Sequence, residues 1–444
     1  MLKAGAAFLA LTVMLSGCGK RSSDVSGGNA AGTPGVSAEQ TAAGANEKSG
    51  GAADLEEQLK LALNFLTEGN YKEAVLAFTA ILEIDPKVGD AYTGRARGYL
   101  GLAGQEPERY EEYLGLAAAD YDAAAQFISD AEVLEEARKG GNALLYETCM
   151  QQARAAMDAG SLEEAFPWMR RASRVDGAAE LSVHDPDPAQ NSPWYDLTQS
   201  VQESGDRELA VRWCSLLMEA AENMGLNEAK ECRPLRELES MILGRSEFYC
   251  LLTDDEIAAV NRPAVDFIAA HPELQACQDA VRIMYYGNIG LSNMDEAAAW
   301  WPEMVSKGCL HRNYTVTEDG YTSHSWTNGE TSIHDKWGRL LRFDPSEQEH
   351  PNNRYYYTYT YGPDSRLRLT AHVDNMNGSY IQDYTYHYEN GRLSQVVRTT
   401  NNGPGWTETY RYADGEVTIT QVSDDGTAET ETRKIPYDGS ISMY

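Results

Sequence analysis

The spacing of apolar residues changes near residues 309–313, and this change constrains the fold more than any other feature of the chain. Before it, apolar residues recur every three or four positions, which is typical of amphipathic helices. After it, Tyr, Thr and Val alternate with polar residues, which is typical of half-buried strands. Fifteen of the 26 tyrosines lie after residue 310. The sequence therefore predicts an α+β multidomain protein, with a helical domain over residues 54–310 (the helical part) and an antiparallel β-hairpin or meander domain over residues 311–444 (the β part).

The helical part opens with two amphipathic helices between Leu55 and Pro86, joined by a turn at residues 68–70. The first helix is predicted to bury one stripe, made of Leu59, Ala62, Leu63 and Leu66. The second is predicted to bury Ala74, Phe78, Ile81 and Leu82. It ends before Pro86, because proline has no backbone N–H to donate. Further helical spacing runs through residues 254–270, 274–286 and 294–305.

This helical pair resembles the tetratricopeptide repeat (TPR), a helical hairpin of about 34 residues. The residues that carry the resemblance are Leu61, Ala62, Phe65, Gly69, Tyr71, Ala74, Phe78 and Pro86. A second copy matches at Ala91, Tyr92, Ala96, Tyr99, Ala117, Tyr121 and Ala124, with an insertion near residues 105–110. Weaker copies follow at Ala153, Ala156, Gly160, Ala165, Met169 and Ala172, and at Gly205, Ala210 and Cys214. The resemblance implies an α-helical hairpin repeat (TPR-like) solenoid.

In that family, the concave face of the solenoid binds an extended peptide or a partner protein. The resemblance therefore implies a protein or peptide partner on the helical repeat face, without naming the residues that contact it. A rigid spacer with no ligand needs the same pattern and stays open as an alternative.

Alternating runs in the β part predict five strands, at residues 354–361, 380–388, 393–399, 407–412 and 417–422. Turn sequences that end in Arg-Leu lie beside these runs, at residues 339–340, 366–367 and 392–393, and a looser copy lies at residues 413–417. The turn sequence recurs at intervals of 24–27 residues. This pattern resembles the tyrosine-aspartate (YD) repeats of bacterial cell-surface proteins, which implies consecutive hairpins. Four units are too few for an enclosing shell, so only the hairpin architecture is carried over.

Tyrosines line single faces of two predicted strands. They are Tyr355, Tyr357, Tyr359 and Tyr361 on one strand, and Tyr384, Tyr386 and Tyr388 on another. Aromatic rings on a flat sheet can hold sugar rings, so a glycan partner is one hypothesis. Cross-strand packing of the rings, with the hydroxyls in water, is the other.

The amino terminus has the layout of a secretory signal peptide: Lys3, an uncharged apolar run over residues 4–15, and small residues before Cys18. The run is too short for a transmembrane helix, which needs about 20 residues. Residues 15–18, Leu-Ser-Gly-Cys, resemble the lipobox of bacterial lipoproteins. The resemblance implies that Cys18 is lipidated on its sulfur and becomes the first residue of the mature chain. A signal peptide with an incidental cysteine is the alternative.

Residues 1–17 are therefore predicted to be the signal peptide, and residues 18–53 a disordered linker that starts at the lipidated Cys18. The linker contains small and polar residues, which bury too little apolar surface to offset the entropy of ordering. The protein is predicted to be extracytoplasmic and held at the cell membrane by the lipid on Cys18.

The charge and motif content argue against several classes of function. The formal net charge is -31, from 68 acidic and 37 basic residues, whereas nucleic acids select basic patches. No hydrolase, metalloprotease or nucleotide-binding motif occurs in a suitable setting. We therefore predict no catalytic residue, no cofactor and no metal ligand. A metal site at His324 and His334, and an enzyme assembled from distant residues, are the alternatives.

Six cysteines remain besides Cys18, and they are Cys149, Cys214, Cys232, Cys250, Cys277 and Cys309. An even number in an exported chain permits disulfides. Several fall on apolar positions of helices, where cysteine packs as a small apolar residue. Buried free thiols and at least one disulfide both stay open.

These observations together predict a membrane-anchored extracytoplasmic lipoprotein that acts as a protein- or peptide-binding scaffold in the cell envelope. A cell-surface glycan-binding protein that uses the tyrosine-rich β part is the alternative.

Overall fold

A computed structural model describes residues 50–439 except 184–191, 226–232, 243–250, 310–313, 317–321, 326–328, 346–354, 375–379, 402 and 438. The chain divides into two compact units, Met1–Ala52 and Ala53–Tyr444, and nearly all described residues belong to the second. The predicted signal peptide, the lipidation site Cys18 and the linker up to residue 49 lie outside the described residues.

The described residues first form a helical part. Its α-helices are α1 (Gly50–Thr67), α2 (Tyr71–Ile84), α3 (Gly89–Gln105), α4 (Tyr110–Ala124), α5 (Ala131–Asp158), α6 (Leu162–Ser173), α7 (Ala178–Val183), α8 (Pro193–Ser204), α9 (Arg207–Asn223), α10 (Arg233–Met241), α11 (Asp254–Ala270), α12 (Gln278–Gly290) and α13 (Met294–Ser306). Short 3-10 turns lie at Pro107–Arg109 and Pro272–Ala276.

An antiparallel sheet follows. Its strands are β1 (Tyr314–Val316), β2 (Thr322–Ser325), β3 (Thr331–His334), β4 (Leu340–Asp344), β5 (Tyr355–Tyr361), β6 (Leu367–Asp374), β7 (Tyr380–Glu389), β8 (Arg392–Thr400), β9 (Trp406–Ala413), β10 (Glu416–Ser423) and β11 (Ala428–Lys434). Each strand pairs with its neighbours in sequence, so the sheet is a meander. The predicted α+β architecture, helices followed by an antiparallel meander, is confirmed.

Close packing between α2 and α3 depends on glycines of α3. A Cβ at Gly101 would lie 2.5 Å from the ring of Tyr71, and a Cβ at Gly94 would overlap the ring of Phe78. Gly98 lies between these two glycines and also faces α2. The spacing of these three glycines places them along one side of α3, and their lack of side chains allows the two helices to approach closely. The aromatic side chains of α2 fill the space so created.

The turn predicted at residues 68–70 is present between α1 and α2, and Gly69 in this turn has φ +73°. The predicted buried stripe of α1 is wrong at Leu63, which is 46% exposed, whereas Ala62 and Leu66 are buried. The reason is geometric, since the spacing of four between Ala62 and Leu66 defines a narrow stripe and Leu63 lies about 100° away from Ala62. Leu61, one of the repeat-like positions, is also exposed.

The predicted helix over residues 274–286 is divided in two. Cys277 has extended backbone angles, φ -80° and ψ 138°, between the 3-10 turn Pro272–Ala276 and the start of α12. The third repeat-like segment also differs from a tetratricopeptide repeat. Its first helix, α5, begins at Ala131 and has 28 residues, whereas a whole hairpin of that family has about 34. The resemblance to tetratricopeptide repeats stays a prediction.

One hydrophobic core joins the two parts of the chain. It runs from Ala62 in α1 to Tyr437 after β11, and it includes Leu367, Leu393 and Val417 of the sheet. A smaller cluster joins α12 and α13. Helices and sheet therefore belong to one compact unit from Ala53 onward.

Candidate interaction surfaces and the helix–sheet interface

The repeated turns of the sheet are organised by their acidic residues. The carboxylate of Asp335 accepts from the backbone N–H groups of Trp337 and Arg339, each at 2.9 Å. Asp364 accepts from the backbone N–H of Arg366 at 3.2 Å. Aspartate that bonds its own turn favours hairpin geometry. Both aspartates therefore stabilise the turns in which they lie.

Each turn arginine also lies over a tyrosine of the next hairpin. The distances from guanidinium carbon to ring centre are 5.0 Å for Arg339 and Tyr361, 5.8 Å for Arg366 and Tyr388, and 4.9 Å for Arg392 and Tyr412. Hydroxyl groups reinforce two of these contacts, since Tyr361 donates to the Leu340 carbonyl at 2.9 Å and Tyr412 to the Leu393 carbonyl at 2.7 Å. The recurring Arg-Leu and Tyr positions therefore link consecutive hairpins.

Two of these three arginines reach the helical part at the start of α11. The Nη2 atom of Arg366 donates to Oδ1 of Asp254 at 2.6 Å, and Nη2 of Arg392 donates to Oε1 of Glu256 at 2.6 Å. Two successive hairpin turns thus bind the first turn of a single helix. Acidic residues in a first turn also stabilise the helix, because they face its exposed N–H groups.

Glu256 has a second role, as part of the capping box of α11. Its Oε2 atom accepts from the Thr253 backbone N–H at 2.8 Å, while the Thr253 hydroxyl accepts from the Glu256 N–H at 3.3 Å. Burial raises the pKa of Glu256, but hydrogen bonds from Arg392 and Thr253 outweigh burial and hold the pKa below its ordinary value. The carboxylate is therefore charged at neutral pH.

The first repeated turn docks on α12 and α13. The Tyr285 hydroxyl donates to the Trp337 carbonyl at 2.5 Å. Gly338 packs so closely that a Cβ there would lie 2.5 Å from the ring of Trp301 and would overlap the Tyr285 hydroxyl. His334 supports the same turn, with Nδ1 3.0 Å from the Gly338 carbonyl.

The end of the sheet returns to the helices near α8. The Ile435 N–H donates to the Gly415 carbonyl in the fourth turn at 3.1 Å, and the Tyr437 N–H donates to the Gln202 carbonyl at 3.3 Å. A cavity of about 240 Å³ lies at this junction, lined among others by Arg207, Glu256 and Arg392. Asp414 also lines the cavity, so two arginines and two carboxylates balance in formal charge. Both arginines approach the Glu256 carboxylate, Arg392 at 2.6 Å and Arg207 at 3.8 Å. The cavity belongs to the helix–sheet interface.

A buried ion pair lies within α10 in the helical part. Arg233 and Glu237 are 2.8 Å apart, with side chains that are 5% and 2% exposed. Burial raises the pKa of Glu237, and Thr198 provides an additional hydrogen bond. Thr198 in turn accepts from the indole N–H of Trp213 at 3.0 Å. These partners are core residues, so the pair supports packing and indicates no reaction.

The tyrosines of the two ladders are half-buried, except Tyr386, which is 2% exposed and belongs to the core. The rings of Tyr357 and His372 stack at 4.9 Å, Tyr355 meets His372 edge-on at 5.0 Å, and Tyr384 meets Trp406 at 5.9 Å. The two predicted ladders share one face of the sheet but are not adjacent, because β6 lies between β5 and β7. The ring contacts favour cross-strand packing, and a glycan partner stays a prediction.

An exposed apolar strip runs along α2. Leu76 is 71% exposed and Ile84 is 64% exposed, and the exposed Ala80 lies between them. Positions four apart are neighbours on a helix surface, so these three residues form a continuous line. The stripe predicted for this helix, Ala74, Phe78, Ile81 and Leu82, is buried as expected, and no role was predicted for the three residues of the exposed strip.

The cysteines in the described part of the chain are free thiols. Cys149, Cys214, Cys277 and Cys309 are buried and unpaired, while Cys18, Cys232 and Cys250 lie outside the described residues. Burial raises the pKa of Cys149 and that of Cys214 to about 12. Thiols in this state are poor nucleophiles.

The described residues contain neither a cluster of metal ligands nor a helix that could span a membrane. Within the described ranges, no group of three or more His, Cys, Asp or Glu side chains converges as metal ligands do. The side chain of His324 lies outside the description, and His334 contacts Ser332 and the first turn. None of the helices that the structure describes combines the length and hydropathy needed to cross a bilayer.

Comparison of the sequence with protein-family models and with curated proteins finds no match in either set.

Proposed function

We propose that this protein is a membrane-anchored, extracytoplasmic scaffold whose helical part binds a protein or a peptide. The observation that supports the proposal is the strip of Leu76, Ala80 and Ile84, which exposes large apolar side chains along more than two turns of α2. Contiguous exposed apolar surface commonly marks a protein interaction site, because a partner removes it from water.

The charge of the molecule narrows the chemistry of the partner. The strip is flanked on α2 by Glu73 and Glu83, and Lys72 is paired with Glu106 at 2.5 Å. The whole chain carries a net charge of -31. An amphipathic segment with apolar residues flanked by Lys or Arg would complement both the strip and its surroundings.

Photocrosslinking in intact cells tests this proposal. A crosslinking amino acid at position 80 of the full chain should join one discrete protein. The double variant Leu76→Glu/Ile84→Glu should lose that product, because charged groups would replace the apolar contact. Position 133 on α5 provides a matched control, since Val133 is equally helical and 50% exposed. The same products from both positions, or none from position 80, would contradict the proposal.

The anchor is tested separately. Lipidation of Cys18 would hold the protein at the membrane, because a diacyl anchor binds bilayers firmly whereas a single acyl chain binds weakly. Cys18→Ala should therefore release the protein into the soluble fraction. Equal pelleting of this variant and the parent with membranes would argue against the tether.

Glycan binding is the second candidate, and the half-buried rings of Tyr384 and Trp406 on one sheet face support it. If this candidate is correct, the full chain should bind cell-wall fragments saturably, and the binding should require these two rings. Loss of that binding in Trp406→Ala, with no effect of Leu76→Glu, would favour this candidate over peptide binding.

A further inference from the structure

The last strand of the sheet, β11, has no strand on its outer side among the residues that the structure describes. All its residues are exposed except Arg433, which is half-buried. The strand contains no proline, and it pairs with β10 without a register shift. It is therefore a regular edge that could accept another strand.

The pairing with β10 identifies the backbone groups that face outward. Hydrogen bonds join Ser423 N–H to the Thr427 carbonyl at 2.9 Å, and Ile435 N–H to the Gly415 carbonyl at 3.1 Å. In an antiparallel pair, hydrogen-bonded residues alternate with residues whose groups point away. The odd-numbered residues of β11 therefore bond to β10. Thr430, Thr432 and Lys434 direct their N–H and C=O groups to the open edge.

The side chains of β11 restrict which strand can bind there. Glu429, Glu431, Arg433 and Lys434 place both signs of charge along the edge. Charged side chains usually protect an edge, because most incoming strands would bury them unpaired or beside like charges. A strand with the complementary order of charges would avoid this penalty.

We propose that this edge binds β11 of a second copy of the chain, antiparallel and centred on Thr432. In this register Thr432 faces the partner's Thr432, and Thr430 faces the partner's Lys434. Glu431 faces the partner's Arg433, and symmetry forms that ion pair twice. All outward backbone groups of Thr430, Thr432 and Lys434 then have partners.

The neighbouring registers are disfavoured by charge. Centring on Glu431 or on Arg433 would place a like charge opposite itself. Centring on Thr430 would place Glu429 opposite the partner's Glu431 twice. Like charges directly opposite one another destabilise a strand pair, so the charge order selects the register centred on Thr432.

Two further observations agree with this pairing. Thr432 already contacts Thr418 of β10, with hydroxyl oxygens 3.0 Å apart, so the joined sheets would continue an uncharged row of threonines. The chain leaves β11 toward the helices through Tyr437. Antiparallel strands direct these exits in opposite directions, so the two helical parts would lie at opposite ends of the joined sheet.

Disulfide trapping of the full chain in membranes tests both the contact and its register. Thr432→Cys should form a covalent dimer under mild oxidation, because the two sulfurs would face each other. Thr430→Cys is the matched control, equally exposed and on the same face, yet its two copies would be about 13 Å apart along the strands. The parent chain measures the background from native cysteines.

A charge exchange provides the second measurement. Glu431→Arg should reduce trapping through Thr432→Cys by about tenfold, since it places like charges opposite each other. Adding Arg433→Glu should restore trapping, which a merely unfolded variant would not do. Equal trapping at positions 430 and 432, no trapping at position 432, or no rescue by the exchange would overturn the proposal. None of these outcomes depends on the ligand of the helical part.

Discussion

Arg392, in the third repeated turn of the sheet, and Glu256, the third residue of α11, form a charged hydrogen bond of 2.6 Å. One oxygen of Glu256 binds the sheet and the other caps its own helix through Thr253. The two contacts use different carboxylate oxygens, so the Glu256 side chain can cap its helix and bind the sheet at the same time. The start of α11 is therefore where local helix stability and long-range assembly are coupled.

Glu256→Gln separates these two roles. The amide keeps a carbonyl oxygen for the Thr253 N–H but loses the charge that binds Arg392. We expect the free energy of unfolding to fall by about 1–2 kcal/mol, measured by urea denaturation. Glu208→Gln is the control, because Glu208 is exposed in the first turn of α9. It should change stability by less than about 0.5 kcal/mol.

The same pair predicts a pH dependence. The pKa of Glu256 lies below its ordinary value in the folded state, so its ionisation stabilises the fold above the unfolded pKa of about 4.3. The stability difference between the parent and Glu256→Gln should be constant from pH 7 down to that value. It should then shrink as the pH falls through the lower folded pKa. A difference that persists undiminished at pH 2 would contradict the assigned charge.

The glycines of α3 should be intolerant of a methyl group. Gly94→Ala should lower the free energy of unfolding by about 1–3 kcal/mol, because its Cβ would overlap the Phe78 ring in a packed interface. Gly115→Ala in α4 is the control, since nothing lies within 4 Å of its Cβ position. It should be neutral or stabilising by up to about 1 kcal/mol, because alanine favours the helix. Equal losses from both variants would exclude the packing explanation.

Docking of the first turn can be measured by proteolysis. Gly338→Ala should expose the bonds after Lys336 and Arg339 to trypsin under native conditions, since the added methyl would displace Tyr285 and Trp301. Gly415→Ala has the same positive φ strain, +77° against +81°, but meets no neighbour within 4 Å. Cleavage in the first turn should therefore increase only in Gly338→Ala. Unchanged cleavage there would show that the turn does not need this close contact.

The buried thiols should be inert in the folded protein. Cys149 and Cys214 have a pKa of about 12, so almost none of either thiol is ionised at pH 8. Iodoacetamide should leave both unmodified in native buffer and alkylate both in urea. Peptide mass mapping scores each cysteine separately. Stoichiometric native labelling of either residue would contradict its burial.

Local chemistry in the sequence predicts five of the strands, β5 and β7–β10, and it does not predict contacts between distant parts of the chain. The Asn390-Gly391 turn and the return of Leu393 to the core follow from turn preferences and alternation. The docking of Arg366 and Arg392 on α11 does not, because their partners lie 112 and 136 residues away in the sequence. A turn arginine has the same local signature whether it faces solvent or a helix.

The five predicted strands omit β1–β4, β6 and β11, and the predictions also omit the apolar strip of α2. The strand β11 has no apolar alternation, because both of its faces are exposed. The apolar strip of α2 lies outside the stripe that was predicted to be buried, and its spacing of four residues does not tell whether another element covers it. Periodicity reports which residues share a face, and only the neighbouring elements decide whether that face is covered.

The ties between successive turns and the helices limit how such a chain can change in length. The first turn accepts a hydrogen bond from Tyr285, the second binds Asp254 through its arginine, and the third binds Glu256 in the same way. The fourth turn lies beside the end of α8. Duplicating or deleting one hairpin would move every later arginine away from its carboxylate. Unlike an open-ended array, this sheet has a hairpin number fixed by the helical surface beneath it, and viable relatives should gain or lose helices and hairpins together.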